Sequence, residues 1–213
     1  MDLFGIGVVI TYITMVWPAP IVNSFASVTH INTDESVYYG PFNKLLYYLF
    51  PWESNYEIVP QFKRPLNSQE SIDFVTVLVV NLDRHPVFFI EVKPPSSLAL
   101  PSKRQEADIQ MRQRFTEFLD DPVIPVLYGV SAMGPILSVY KYDAVTGLMP
   151  PQIPRDPVFV NDVAPKERWN CKILEDAGEQ RLRDIVEEVK AMCAQHQGVR
   201  AGIYYQTHLT LII

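Results

Sequence analysis

SIDFVTVLVVNLDRHPVFFIEVKPP, residues 71–95, reads as two apolar strands joined by a polar turn. The first strand, Ile72 to Val80, is rich in β-branched residues, which favour a pleated, half-buried surface. Asn81, Leu82, Asp83 and Arg84 form the turn, and Pro86 to Lys93 the second strand. Asp73, Glu91 and Lys93 stand inside these apolar runs. Because a strand alternates its faces with period two, Glu91 and Lys93 project to one side while Ile90 and Val92 point to the other.

Two readings account for the charges. In one, Glu91 and Lys93 make a same-face ion pair at a strand end, of small energetic weight, and Asp73 faces water. In the other, Asp73 and Glu91 are oxygen ligands of a hard divalent cation, with Lys93 beside the attacking water. Mg²⁺ is commonly held by one or two carboxylates together with water and substrate phosphate. A lysine there orients the nucleophile and offsets phosphate charge.

The order Asp73, turn, Glu91-Val92-Lys93 resembles the core of the PD-(D/E)xK nuclease superfamily, the fold of many restriction enzymes, resolvases and repair nucleases. The 18 positions from Asp73 to Glu91 suit an antiparallel hairpin with a short turn. Ile72 stands where the family name has proline. The resemblance implies an α/β, restriction-endonuclease-like mixed central sheet flanked by helices, in the order α-β-β-β-α-β-β-α. It implies a metal-dependent nuclease that hydrolyses phosphodiester bonds in nucleic acid, DNA in the first instance. Mg²⁺ (or Mn²⁺) would be held by Asp73, Glu91 and the Val92 carbonyl, with Lys93 completing the catalytic set. A helix before the hairpin would add an acidic ligand, for which Glu35 is the candidate. Such folds also persist without catalysis, so the alternative is an inactive module that binds protein or nucleic acid.

That preceding helix is expected over Thr33 to Phe50. Thr33 is its expected N-cap, and acids follow in the first turn. Gly40-Pro41 interrupts it, and Phe42, Leu45, Leu46 and Leu49 give an amphipathic stripe. Tyr56 to Phe62 is a further strand. After the hairpin, Ser102 is the expected N-cap of a helix to about Leu119, whose packed stripe is Ala107, Met111, Phe115 and Phe118. Lys103, Arg104, Arg112 and Arg114 are expected to make a phosphate-facing groove there, and the resemblance implies a glutamine of this helix near the site, Gln105 or Gln110.

Two more strands, Ile124 to Ser131 and Ile136 to Tyr142, form a second hairpin around Gly134-Pro135. Ala144 to Pro165 holds five prolines and reads as a lid, a packing arm or a linker. A last helix is expected from Glu175 to Gln195, with Leu182, Ile185, Val186 and Val189 buried and Gly198 ending it. Residues 202–213 read as a strand-like apolar tail.

With 213 residues, 48% of them hydrophobic, the chain can bury one core. Residues 31–213 are expected to form one domain, behind an apolar extension over residues 1–30. The net charge of −6 removes a whole-domain basic footprint for nucleic acid, though not a local groove. A protein partner for the acidic surface is therefore also open. Met1 to Trp17 carries one charge, Asp2. It is a docked segment or an extension, or alternatively a signal or membrane anchor. Cys171 and Cys193 match no zinc spacing, and unpaired thiols agree with an intracellular location, nuclear or cytoplasmic. The four histidines are scattered, and no nucleophile elbow or phosphate loop motif occurs.

Overall fold

A computed structural model describes residues 17–28, 33–60, 77–120 and 122–210, with side chains described to residue 199. Helix α1 spans Ala19–Ala26, and a 3-10 turn, Glu35–Tyr38, leads into α2, Tyr39–Leu49. Strands β1 (Tyr56–Pro60), β2 (Val77–Leu82) and β3 (His85–Lys93) follow, then α3 (Pro101–Phe118). Next come β4 (Val126–Met133), β5 (Ile136–Asp143), β6 (Gly147–Met149), β7 (Cys171–Lys172) and α4 (Asp176–Thr210). The protein is α/β with a mixed open sheet.

Strands β1 to β6 lie side by side in sequence order, and β7 pairs with β5. All neighbours are antiparallel except β3 and β4, which are parallel. A parallel pair needs a crossover, and α3 supplies it. The β2–β3 hairpin closes through Asp83 (φ 50°) and Arg84 (φ 72°). This two-residue turn with left-handed backbone at both positions matches the strand twist.

Each face of the sheet has its own core, as strand alternation requires. Leu78, Val80, Phe88, Ile90, Val92 and Val130 pack under α1, α2 and α4. Val77, Val79, Phe89 and Leu127 meet Met111, Phe115 and Phe118 of α3. The expected stripes of α2, α3 and α4 are buried. On α3 the apolar stripe divides two polar seams at helical spacing: Gln110 and Arg114 on one flank, Arg104, Asp108 and Arg112 on the other.

Several details differ from expectation. The boundary at residue 30 falls inside the packed body, because Trp17, Ile21, Phe25 and Val28 belong to the larger core. Trp17 Nε1 donates to the Ile173 carbonyl at 2.6 Å, and the Arg183 guanidinium lies 4.5 Å over the indole. Asp34 rather than Thr33 caps the turn at Glu35, accepting from Ser36 N–H at 2.9 Å. Pro101, with its missing N–H, opens α3 and no side chain caps it. The described part of the strand-like tail, residues 202–210, is instead a continuation of α4, which passes through Gly198 to Thr210. A single helical glycine costs only about 1 kcal/mol against alanine, so it did not end a helix already seated on the sheet.

The proline-rich stretch is a packing arm. Arg104 donates to the carbonyls of Leu98 (3.0 Å) and Ala164 (2.9 Å) and pairs with Asp162. Arg112 and Arg168 hold the Pro150 and Pro151 carbonyls at 2.9 and 2.8 Å. At the arm's tip, Asp156 accepts from the N–H groups of Val158 (2.7 Å) and Phe159 (2.8 Å). That turn leaves Val158, Phe159 and Val160 exposed. Among the described residues, no helix is long and apolar enough to cross a membrane. The apolar run of residues 1–16 lies outside them.

Candidate active site around Glu91

Near its C-terminal end, β3 turns Phe89, Glu91 and Lys93 toward α3. The row is covered by α3, and Glu91 lies between Val77 of β2 and Ser131 of β4, with its side chain 1% exposed. Among the described residues, neither of its carboxylate oxygens has a hydrogen-bond partner. Two cations stand near it just beyond hydrogen-bond reach: Lys93 Nζ at 3.6 Å from Oε1 and Arg114 Nε at 3.8 Å from Oε2. A buried carboxylate left this way is unusual, since such groups are normally paired and hydrogen-bonded.

The electrostatics follow from the burial. Desolvation pushes the Glu91 carboxyl up to about 7, while Lys93 and Arg114 pull it back and Glu35 pushes it further up. Glu35 thus lies within electrostatic reach of Glu91 from the turn before α2. The Tyr39 hydroxyl donates to Glu35 Oε1 at 2.8 Å and fixes that carboxylate. The same turn touches the end of β3: a side chain on Gly134, whose N–H donates to the Lys93 carbonyl at 3.0 Å, would meet the Tyr38 hydroxyl at 3.1 Å.

Other polar atoms here are buried and unpartnered. Ser131 lies beside Glu91 in the β3–β4 register, and its Oγ has no partner. Arg114 Nε is likewise unpartnered, although Arg114 Nη1 donates to Glu117 Oε2 at 2.7 Å. Gln110, one helical turn before Arg114, has a buried Oε1 without a partner. Nothing in the sequence singles out Ser131 or Tyr39. Only strand register brings Ser131 beside Glu91, and Tyr39 acts through Glu35.

The structure brings Glu91, Lys93 and Arg114 together, with Glu35 within longer electrostatic reach. Asp73, the remaining expected ligand, lies outside the described residues, and those residues hold no group of three histidines, cysteines or acids placed to bind a metal. The expected phosphate-facing row on α3 does not form as a row. Arg104 is buried on the packing arm, and Arg112 makes a two-pronged pair with Asp108 at 2.9 and 3.0 Å. Lys103 is exposed and paired with Glu106 at 2.8 Å. Arg114 is buried at Glu91 instead of facing an open groove. The cations cluster in sequence because they serve different seams of one helix.

Searches against family models, curated proteins and solved structures find no match. The geometry therefore carries the functional argument.

A separate cleft of about 920 Å³ between β5 and α4 shares none of these residues. Its Tyr128 and Lys141 are both tied to Glu188, at 2.7 and 3.3 Å.

Proposed function

We propose that the protein is a metal-dependent nuclease of restriction-endonuclease-like fold that hydrolyses phosphodiester bonds in nucleic acid, with DNA as the first substrate to test. The observation that carries this reading is the Glu91 carboxylate: fully buried, without a hydrogen bond, and flanked by Lys93 and Arg114. The strand order supports it, since three antiparallel strands lead through α3 to a fourth strand parallel to the third.

The donor set suits a hard cation such as Mg²⁺ or Mn²⁺: oxygen ligands, a second carboxylate within electrostatic reach and buried oxygens lacking partners among the described residues. Glu91 and Glu35 would hold it, with the Val92 carbonyl and Asp73 as further ligands. When bound, such an ion supplies Lewis acidity toward water and a phosphoryl oxygen. Lys93 then orients the attacking water and stabilises the charge gathering on the phosphoryl oxygens. Water adds at phosphorus as one ester P–O bond breaks, leaving a phosphate monoester end and a free hydroxyl. Arg114 flanks Glu91 from α3.

The test is cleavage of circular, linear duplex and single-stranded DNA with Mg²⁺ or Mn²⁺, beside Glu91→Gln and Lys93→Ala. Metal-dependent cleavage that both variants lose is expected. Wild type and variants that leave the same background would overturn the reading. One set of observations favours a second reading, a module that binds without cutting. Arg104 and Arg112 are committed to internal partners, and the chain carries a net charge of −6.

A further inference from the structure

We propose that Arg114 is a resident counter-cation that competes with the divalent metal for Glu91 and is held part-way off the carboxylate by Glu117. The inference rests on the metal-site reading above and goes on to assign a regulating residue.

The geometry has two halves. One arm of the guanidinium, Nη1, is tied to Glu117 Oε2 at 2.7 Å, and the Glu117 side chain is 24% exposed. The other, Nε, is buried, has no hydrogen-bond partner among the described residues and stops 3.8 Å from Glu91 Oε2. A buried donor left unpartnered beside a buried acceptor left unpartnered forgoes a charge-assisted bond that a shift of about 1 Å would make. Glu117, one turn further along α3, restrains that shift. Arg114 therefore lowers the cost of the buried carboxylate without occupying its lone pairs, which stay open to a metal. A divalent ion on Glu91 must share the site with this positive charge, and the repulsion weakens its binding.

Arg114 would thus have opposite effects on the two states, stabilising the metal-free protein and weakening metal binding. A purely structural arginine would support both, and one that positions Glu91 for the metal would strengthen binding.

The experiment measures Mn²⁺ binding by calorimetry, and melting with and without Mn²⁺, for wild type, Arg114→Met and Glu117→Gln. Arg114→Met is expected to melt lower without metal yet bind Mn²⁺ about tenfold tighter, since a neighbouring charge has gone. Glu117→Gln releases the restraining arm, lets Nε close on Glu91 and is expected to bind Mn²⁺ several-fold more weakly. If Arg114→Met fails to fold, Glu117→Gln alone decides. Unchanged or weaker binding by Arg114→Met, or unchanged or tighter binding by Glu117→Gln, would overturn the proposal and leave the nuclease reading standing. A wild type that binds no Mn²⁺ would overturn both.

Discussion

Lys93 and Glu91 stand two residues apart on one face of β3, yet their charged atoms are 3.6 Å apart and form no hydrogen bond. An exposed ion pair with that gap would be of little account. Here the carboxylate is buried, so the gap leaves its desolvation only partly compensated. The consequence is a definite pH dependence.

The folded Glu91 carboxyl is raised to about 7 from its ordinary value of 4.5. Between those values the folded state holds the proton more tightly than the unfolded chain does. The contribution of Glu91 is therefore fully present below about pH 4.5 and is lost as pH rises through about 7, on the order of 3 kcal/mol in all. Urea denaturation from pH 4 to 8 should show this loss in the wild type. The difference curve against Glu91→Gln isolates it, and a flat difference would contradict the assignment.

Lys93→Met removes the nearer cation from the buried carboxylate. The Glu91 midpoint should move above about 7, as seen by carboxyl-detected NMR titration, because less attraction opposes desolvation. An unchanged midpoint would mean that Lys93 points elsewhere in solution.

Asp108 gathers three donors: Arg112, Arg168 at 2.8 Å and the Tyr140 hydroxyl at 2.8 Å. Asp108→Ala leaves two mostly buried guanidinium groups without their shared anion, a change that typically costs about 3–5 kcal/mol. Equilibrium denaturation measures it. A loss near 1 kcal/mol would show that water takes over the carboxylate's role.

The hairpin turn offers a gain. Arg84 adopts φ 72°, where a side chain costs roughly 1–2 kcal/mol that glycine avoids. Arg84→Gly should raise stability by about 1 kcal/mol, partly offset by the greater freedom of glycine in the unfolded chain. A melting shift upward checks it.

Much of this is legible locally. The alternation of β3 alone puts Glu91 and Lys93 on one side, and the spacing of Ala107, Met111, Phe115 and Phe118 identifies the packed face of α3. What escapes the sequence depends on distant partners. Arg104 finds Asp162, and Asp108 finds Arg168, each across about sixty residues. A single chain read in order cannot pair them, so these arginines look like a surface row. Helix α1 escapes because a proline is a poor sign of a helix, whereas Pro20 lies in the first turn of α1, where its missing N–H costs nothing. Gly198 looks like a stop because the seating of the earlier turns, Leu182 to Cys193, in the core is invisible in the sequence. Asp73, the expected partner of Glu91, lies outside the described residues.

The arm from Pro150 to Ala164 also bears on how the protein would survive being cut. Its exposed tip at Phe159 offers a chymotryptic site, while the stretches on either side are gripped by arginines rooted in α3 and just before β7. Arg112 and Arg168 grip the near side, and Arg104 grips the far side. Cleavage there should give two polypeptides on a denaturing gel that still elute together as one particle under native conditions. The sheet itself joins them too, since β7 of the second fragment pairs with β5 of the first. A backbone break at this loop would leave a two-chain protein with its β3 centre intact.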